Sequence, residues 1–276
     1  MSSLNRLILT LAGACISIGA HAATHLPRAA HVVLVIEENR SFQTLMGSKD
    51  APYMNQLAAE GALFTQSFAI THPSEPNYVA LFAGDTEGLT DDSCPHSYTG
   101  PTLAGALAAK KLSFTIYSEN LPRAGFADCG STDKLYRRKH NPVPNFADVP
   151  AEANQPFIAF PADYSTLPTV AFVIPNMMDD MHDGTVQQAD AWLKAHLDSY
   201  VQWALKHHSL FILTWDEDDG TQQNQIATLI IGQDVKPGRY DQQINHYSVL
   251  RTLTDMYGLP PVGHGADAQA ISGIWK

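Results

Sequence analysis

Three short clusters of oxygen-bearing side chains carry the chemistry this chain could do. Glu37, Glu38 and Asn39 follow one apolar run, Asp179, Asp180, His182 and Asp183 follow another, and Asp216, Glu217, Asp218 and Asp219 follow a third. One hydroxyl between them in sequence has the setting of a nucleophile. Ser74 stands in Thr71-His72-Pro73-Ser74-Glu75-Pro76-Asn77-Tyr78, between apolar runs at 62–70 and 79–83. A run that ends in such a turn and resumes at helical spacing predicts a strand, a sharp loop and a helix start. Pro76 suits a first helical position, and the positive end of the helix dipole would lie beside Ser74, where a hydroxyl could attack an anion. Taken alone, this serine is more simply an ordinary N-cap. The chemistry therefore depends on whether the acidic clusters meet there.

The elements around these residues predict that they do. Six apolar, β-branched runs read as strands, at residues 31–36, 62–69, 112–117, 169–174, 210–214 and 226–231. The first is continuous rather than alternating, as expected of a strand buried on both faces. Helical spacing is predicted at 53–60, 78–83, 102–111, 185–207 and 247–257. The fourth helix puts Trp192, Leu193, Leu197, Tyr200, Val201 and Ala204 on one face, which makes its aromatics core. The alternation predicts one α/β domain over residues 23–276, a three-layer sandwich with a mostly parallel central sheet. Parallel strands bring their carboxyl ends to one sheet edge, so clusters that each follow a strand can converge. Converging carboxylates repel one another unless a cation sits among them. A divalent ion would also lower the pKa of a bound hydroxyl and screen an anionic substrate. Residues 118–165 show little regular pattern, as in a segment that covers a site. Arg137, Arg138, Lys139 and His140 within it would form a positive rim.

Composition removes several alternatives. With 28 acidic and 17 basic residues the formal net charge is -11, and no basic stripe follows a phosphate backbone. That excludes nucleic-acid binding as the main function and disfavours anionic membranes. The 12 histidines point to metal or proton chemistry. There is no Gly-x-Ser-x-Gly elbow, Walker loop, Gly-x-Gly-x-x-Gly or His-Glu-x-x-His. A basic start at 1–6, an apolar run at 7–20 and Ala20-His21-Ala22 predict a signal peptide over residues 1–22, too short for a permanent anchor. The expectation is a protein exported to the periplasm or medium, without stable membrane insertion. Removing Cys15 leaves Cys94 and Cys129, and an even pair in an exported protein predicts one disulfide.

With these residues in view, the sequence resembles a known family. Val35-Ile36-Glu37-Glu38-Asn39-Arg40-Ser41-Phe42, the segment from His72 to Tyr78, residues 176–184 and Thr214-Trp215-Asp216-Glu217-Asp218 are similar to motifs of the bacterial and fungal phosphoesterase family. That family holds secreted acid phosphatases and phospholipases C within the alkaline phosphatase superfamily, and the nucleophile segment is nearer the acid phosphatase branch. The resemblance implies that Ser74 is both nucleophile and metal ligand, forming a phosphoserine. Glu38, Asn39, Asp216 and Glu217 would complete the shell. His182, with His246, would contact the phosphate or protonate the leaving alkoxide. Asn77 and the helix start would stabilise the equatorial oxygens. An all-oxygen shell suits Mg²⁺, Ca²⁺ or Mn²⁺. Asp180, His182 and His246 could supply a second site, which leaves one or two ions, and Zn²⁺, open. The expected function is a secreted, metal-dependent phosphomonoesterase acting on small phosphorylated substrates. A phosphodiesterase of the phospholipase C type would share the site. A secreted, non-catalytic metal- or ligand-binding domain is the reading of another class. Nothing in the sequence specifies an oligomeric state.

Overall fold

The strand β1 (Val32–Glu37) is buried at every position. Val32, Leu34 and Ile36 belong to the core on one face of the sheet, Val33 and Val35 to the core on the other. This period of two explains why its sequence is apolar throughout: both faces are covered. The computed structural model describes residues 26–276, and the predicted signal segment lies outside them. After β1 come α1 (Phe42–Leu45), α2 (Pro52–Glu60), β2 (Ala62–Phe68), α3 (Ser74–Ala83), α4 (Leu103–Ala109), β3 (Phe114–Ser118), β4 (Asn154–Pro156) and β5 (Val170–Ile174). The chain continues through α5 (Val186–Ala204), β6 (Leu210–Trp215), β7 (Gln225–Gly232), β8 (Gly238–Tyr240), β9 (Ile244–Asn245) and α6 (His246–Met256).

The strands form one sheet in the order β4-β3-β5-β1-β6-β7-β2-β8, with β9 paired to β2. Pairing is parallel except at β7, which runs antiparallel to both β6 and β2. Helices α3, α4 and α6 cover one face through residues such as Val79, Phe82, Leu107 and Leu253. Helices α2 and α5 cover the other through Leu57, Leu193, Leu197 and Val201. The three-layer α/β architecture and the six longer strands match the sequence expectation. The elements it lacked, α1, β4, β8 and β9, have two to four residues each, too short for periodicity to register.

This topology delivers the reactive residues to one place. The strands β5, β1 and β6 are parallel neighbours, so the clusters that follow them share an edge. The Glu38 amide donates to the Asp180 carbonyl, and the Asp216 amide to the Glu37 carbonyl, each at 2.9 Å, which pins the three ends together. Two successive antiparallel pairings leave β2 pointing the same way as β6, so the loop after β2 also reaches this edge. Helix α3 begins at Ser74, two residues before the start that Pro76 suggested, and the residue before it is Pro73. Its end is set by Gly84 in the left-handed region (φ 72°), where an added Cβ would stand 2.2 Å from the Val262 carbonyl oxygen. Cys94 and Cys129 form the expected disulfide.

Candidate active site

Glu38 continues the alternation of β1 past its last residue and turns its carboxylate to the α3 side. The Ser74 hydroxyl donates to Glu38 Oε2 at 3.1 Å and approaches Glu217 Oε1 at 3.4 Å. As the first helical residue, with its hydroxyl on these carboxylates, Ser74 makes no side-chain cap, so the simple N-cap reading does not hold. Tyr78, one turn further along α3, donates to Glu38 Oε1 at 2.6 Å. Asn39, held in the left-handed region (φ 53°), donates its backbone N–H to Asp216 Oδ1 and its side-chain amide to Glu38 Oε2, both at 3.1 Å. Glu38, Asn39, Ser74, Asp216 and Glu217 therefore meet.

Glu37 does not join them. Its side chain is buried on the opposite face of the sheet, and neither carboxylate oxygen has a hydrogen-bond partner. Burial, with Asp180 and Asp179 adding to it, pushes its pKa well up.

Two of the predicted residues hold backbone. Asn77 accepts from the Ile70 and Thr71 amides and donates to the Thr71 carbonyl at 2.8 Å and the Pro73 carbonyl at 3.2 Å. A longer contact of 3.5 Å runs from its amide to Glu217 Oε2. Its amide thus holds the loop before Ser74 rather than lying free for a phosphate oxygen. His246 is buried, and its Nε2 donates to the Asp216 backbone carbonyl at 2.8 Å. Burial pushes its pKa down to about 4, so the ring is a neutral support for the Asp216 turn, with Nε2 already committed. Of the two ring nitrogens, this leaves Nδ1 for the contact with phosphate or a second metal site expected of His246.

His182 lies at the rim. Its Nδ1 is 2.8 Å from Asp183 Oδ1 and its Nε2 is 3.1 Å from Lys139 Nζ. An ammonium can only donate, so Nε2 accepts and the ring proton is on Nδ1. Asp180 accepts the His182 backbone N–H at 2.8 Å. Sequence reasoning missed His140 as an individual residue. It is buried, stacks on Tyr78, and has ring nitrogens 3.0 Å from Glu38 Oε1 and 3.2 Å from Asp180 Oδ2. Neither His140 Nε2 nor Asp180 Oδ2 gains a properly directed hydrogen bond. His72 was also missed; its ring is 2.8 Å from Glu217 and 3.3 Å from Asp218. Tyr78 could have been found, because a residue four after Ser74 shares its helix face. His140 lies in an irregular segment and had only its basic neighbours as a signal.

The electrostatics of this cluster ask for a cation. Burial, then Asp216 and Asp180, push the pKa of Glu38 well up. Asp216 is pushed up to about 7 by burial, against the Asn39 amide and Ser74 hydroxyl. Glu217 reaches about 8 through burial and the nearby Asp216. Asp216 Oδ2 is buried without a hydrogen-bond partner. Anionic oxygens this crowded hold their charge poorly by themselves, and the donor set fits a hard or borderline divalent ion. Among the described residues, Glu38, His140 and His182 also offer ligand atoms within 4.8 Å of one another, a group that could hold a metal.

Comparison with known proteins agrees with this geometry. The family model described as the phosphoesterase family matches residues 48–260. The chain is 48% identical over 272 residues to a phosphatidylinositol-3-phosphatase of Mycobacterium tuberculosis, covering 98% of this chain and 90% of that protein. It is 34% identical over 231 residues to the phosphate-repressible acid phosphatase of Penicillium chrysogenum, covering 76% of this chain but 55% of that protein. This chain therefore spans about half the length of that fungal relative. Among solved structures, an alkaline phosphatase superfamily protein from Vibrio parahaemolyticus superposes with a TM-score of 0.58 at 16% identity, covering 90% of this chain and 75% of that one. That likeness concerns the fold alone. By the extent of the model match and the identity to these relatives, the chain belongs to the phosphoesterase family, whose chemistry is hydrolysis of phosphoric ester bonds.

Proposed function

We propose that this protein is an exported, metal-dependent phosphomonoesterase that works through a phosphoserine on Ser74. The observation that carries the reading is the Ser74 hydroxyl at the start of α3, within 3.1 Å of Glu38 and 3.4 Å of Glu217. Glu38, Asn39, Ser74, Asp216 and Glu217 would hold the ion. When bound, it would lower the pKa of the Ser74 hydroxyl and offset the charge of the phosphate. The rest falls to the chain's own residues. Ser74 Oγ gives its proton to Glu38 Oε2, which already accepts it, and forms the bond to phosphorus as the bond to the leaving oxygen breaks, that bond's electron pair going to the leaving oxygen. The Lys139–His182 pair, where the ammonium donates to Nε2, supplies the proton that oxygen takes up. Water then attacks phosphorus and returns a proton to the Lys139–His182 pair as the bond to Oγ breaks, and Oγ takes its proton back from Glu38. Because Lys139 already engages the Nε2 lone pair, the oxygen-rich set is favoured over a second ion on His140 and His182. The named activities of the relatives, phosphatases acting on a lipid phosphate and in fungi on acid phosphatase substrates, support a monoester substrate.

Ser74→Ala should lower turnover of p-nitrophenyl phosphate by about 10³-fold or more while the fold is kept. Mass spectrometry of wild-type protein quenched with acid in the presence of phosphate should find the label on Ser74. A Ser74→Ala protein with near wild-type kcat would sink the assignment.

A further inference from the structure

Asp92, in the loop after α3, has no role in the reaction as described so far. Its Oδ1 accepts the Glu75 backbone N–H, in the first turn of α3 directly after Ser74, and its Oδ2 accepts from Lys139 Nζ, both at 2.9 Å. One carboxylate thus bridges a helix-start amide and an ammonium, the two kinds of donor that phosphate oxygens use. Lys139 is only 18% exposed and also reaches His182. Its neighbour Arg138 is turned away, spending its guanidinium on Asn145 and on the carbonyls of Ala127, His96 and Pro144. Cys94 lies two residues beyond Asp92, and the Cys129 carbonyl accepts the Arg138 amide, so the disulfide joins the segments that bear Asp92 and Lys139.

Charge decides what this lysine is for. Glu38, Asp180, Asp216 and Glu217 are all buried at one edge. A divalent ion offsets two of those charges, and a phosphate monoester brings more. An anion entering such a site needs a further positive contact. We propose that Lys139 contacts the substrate's phosphoryl group directly, and that Asp92 is its resting partner, exchanged for a phosphoryl oxygen when substrate binds. The proposal rests on the phosphomonoesterase reading above. It adds a specificity contact that the acidic motifs do not contain.

The test is competitive inhibition of the metal-loaded enzyme by inorganic phosphate, with p-nitrophenyl phosphate as substrate. Lys139→Ala should raise both the phosphate Ki and KM by about tenfold or more, as expected for loss of a charged hydrogen bond. Lys139→Arg should restore most of the affinity. Asp92→Asn keeps an acceptor for the Glu75 amide but drops the charge, and should lower Ki several-fold. Metal content per chain and the thermal midpoint should match wild type in each variant, so that the change in Ki reports anion binding. An unchanged Ki in Lys139→Ala overturns the contact, and a raised Ki in Asp92→Asn overturns the exchange. Failure of the underlying reading has a different signature, a Ser74→Ala enzyme that still turns over.

Discussion

Glu37 and Glu38 are adjacent in sequence and face opposite sides of the sheet. Strand alternation puts Glu38 with Ile36 on the α3 side, where Ser74, Tyr78 and Asn39 donate to it. Glu37 points into the other core without a hydrogen-bond partner. The two glutamates should therefore answer the same change differently. Glu38→Gln should weaken metal binding by at least the roughly 10–100-fold typical of lost outer partners, whereas Glu37→Gln should leave it within a few-fold. Isothermal titration of metal-stripped protein with Mn²⁺ measures both, and equal losses would contradict the parity argument. His246 shows the limit of reasoning by residue type. The family resemblance implied that it contacts phosphate or the leaving group, and the structure adds that its buried, neutral ring donates Nε2–H to the Asp216 carbonyl. What sets its role is the carbonyl it meets, and that carbonyl lies 30 residues away in sequence.

At the scale of elements, α3 does the positioning. Its first residue is the proposed nucleophile, its second donates a backbone amide to Asp92, and its fifth donates to Glu38. The Asn77 side chain ties α3 back to the loop that precedes it. At the other end, Gly84 lets the chain turn against Val262. Gly84→Ala should cost about 2–3 kcal/mol, because it adds left-handed strain to a backbone clash. Urea unfolding would check it, and a loss below 0.5 kcal/mol (~the scatter of surface substitutions) would show that the turn relaxes. Helices α4, α5 and α6 are capped by Thr102, Thr185 and Asn245, whose side chains accept the Gly105, Gln188 and Ser248 amides. The segment at 118–165 was legible only as a covering insertion, because its His140 and Lys139 are held by tertiary contacts rather than by any period.

At the scale of the molecule, the sheet edge assembles carboxylates that should make stability depend on pH and on the proposed ion together. Folding without metal raises Asp216 to about 7 and Glu217 to about 8, from ordinary values near 4. Between those limits the folded state holds protons that the unfolded state has released, so metal-free protein should lose stability as pH rises from about 4 to about 8. A bound divalent ion would replace those protons and remove the penalty. The rise in thermal midpoint on adding Mg²⁺ or Mn²⁺ to EDTA-treated protein should therefore be larger at pH 8 than at pH 5. Equal shifts at both pH values would argue against a carboxylate site, and no shift at either would argue against the ion.

The sequence alone determined the α/β class, the three acidic strand ends, the disulfide pair and the strand–turn–helix segment around Ser74, because each is written in local pattern: apolar runs, turn residues, spacing. Parallel strands that share an edge implied that the clusters could converge, and the family resemblance, rather than the strand pattern, singled out Glu38, Asn39, Ser74, Asp216 and Glu217. Tertiary structure decided which neighbour of each pair faces the site, that His140, His72 and Tyr78 surround Glu38 and Glu217, and that His246 and Asn77 hold backbone. Those choices depend on contacts between residues far apart in the chain. No local pattern encodes them, because they are made only when the sheet, α3 and the disulfide-linked loops close on one another.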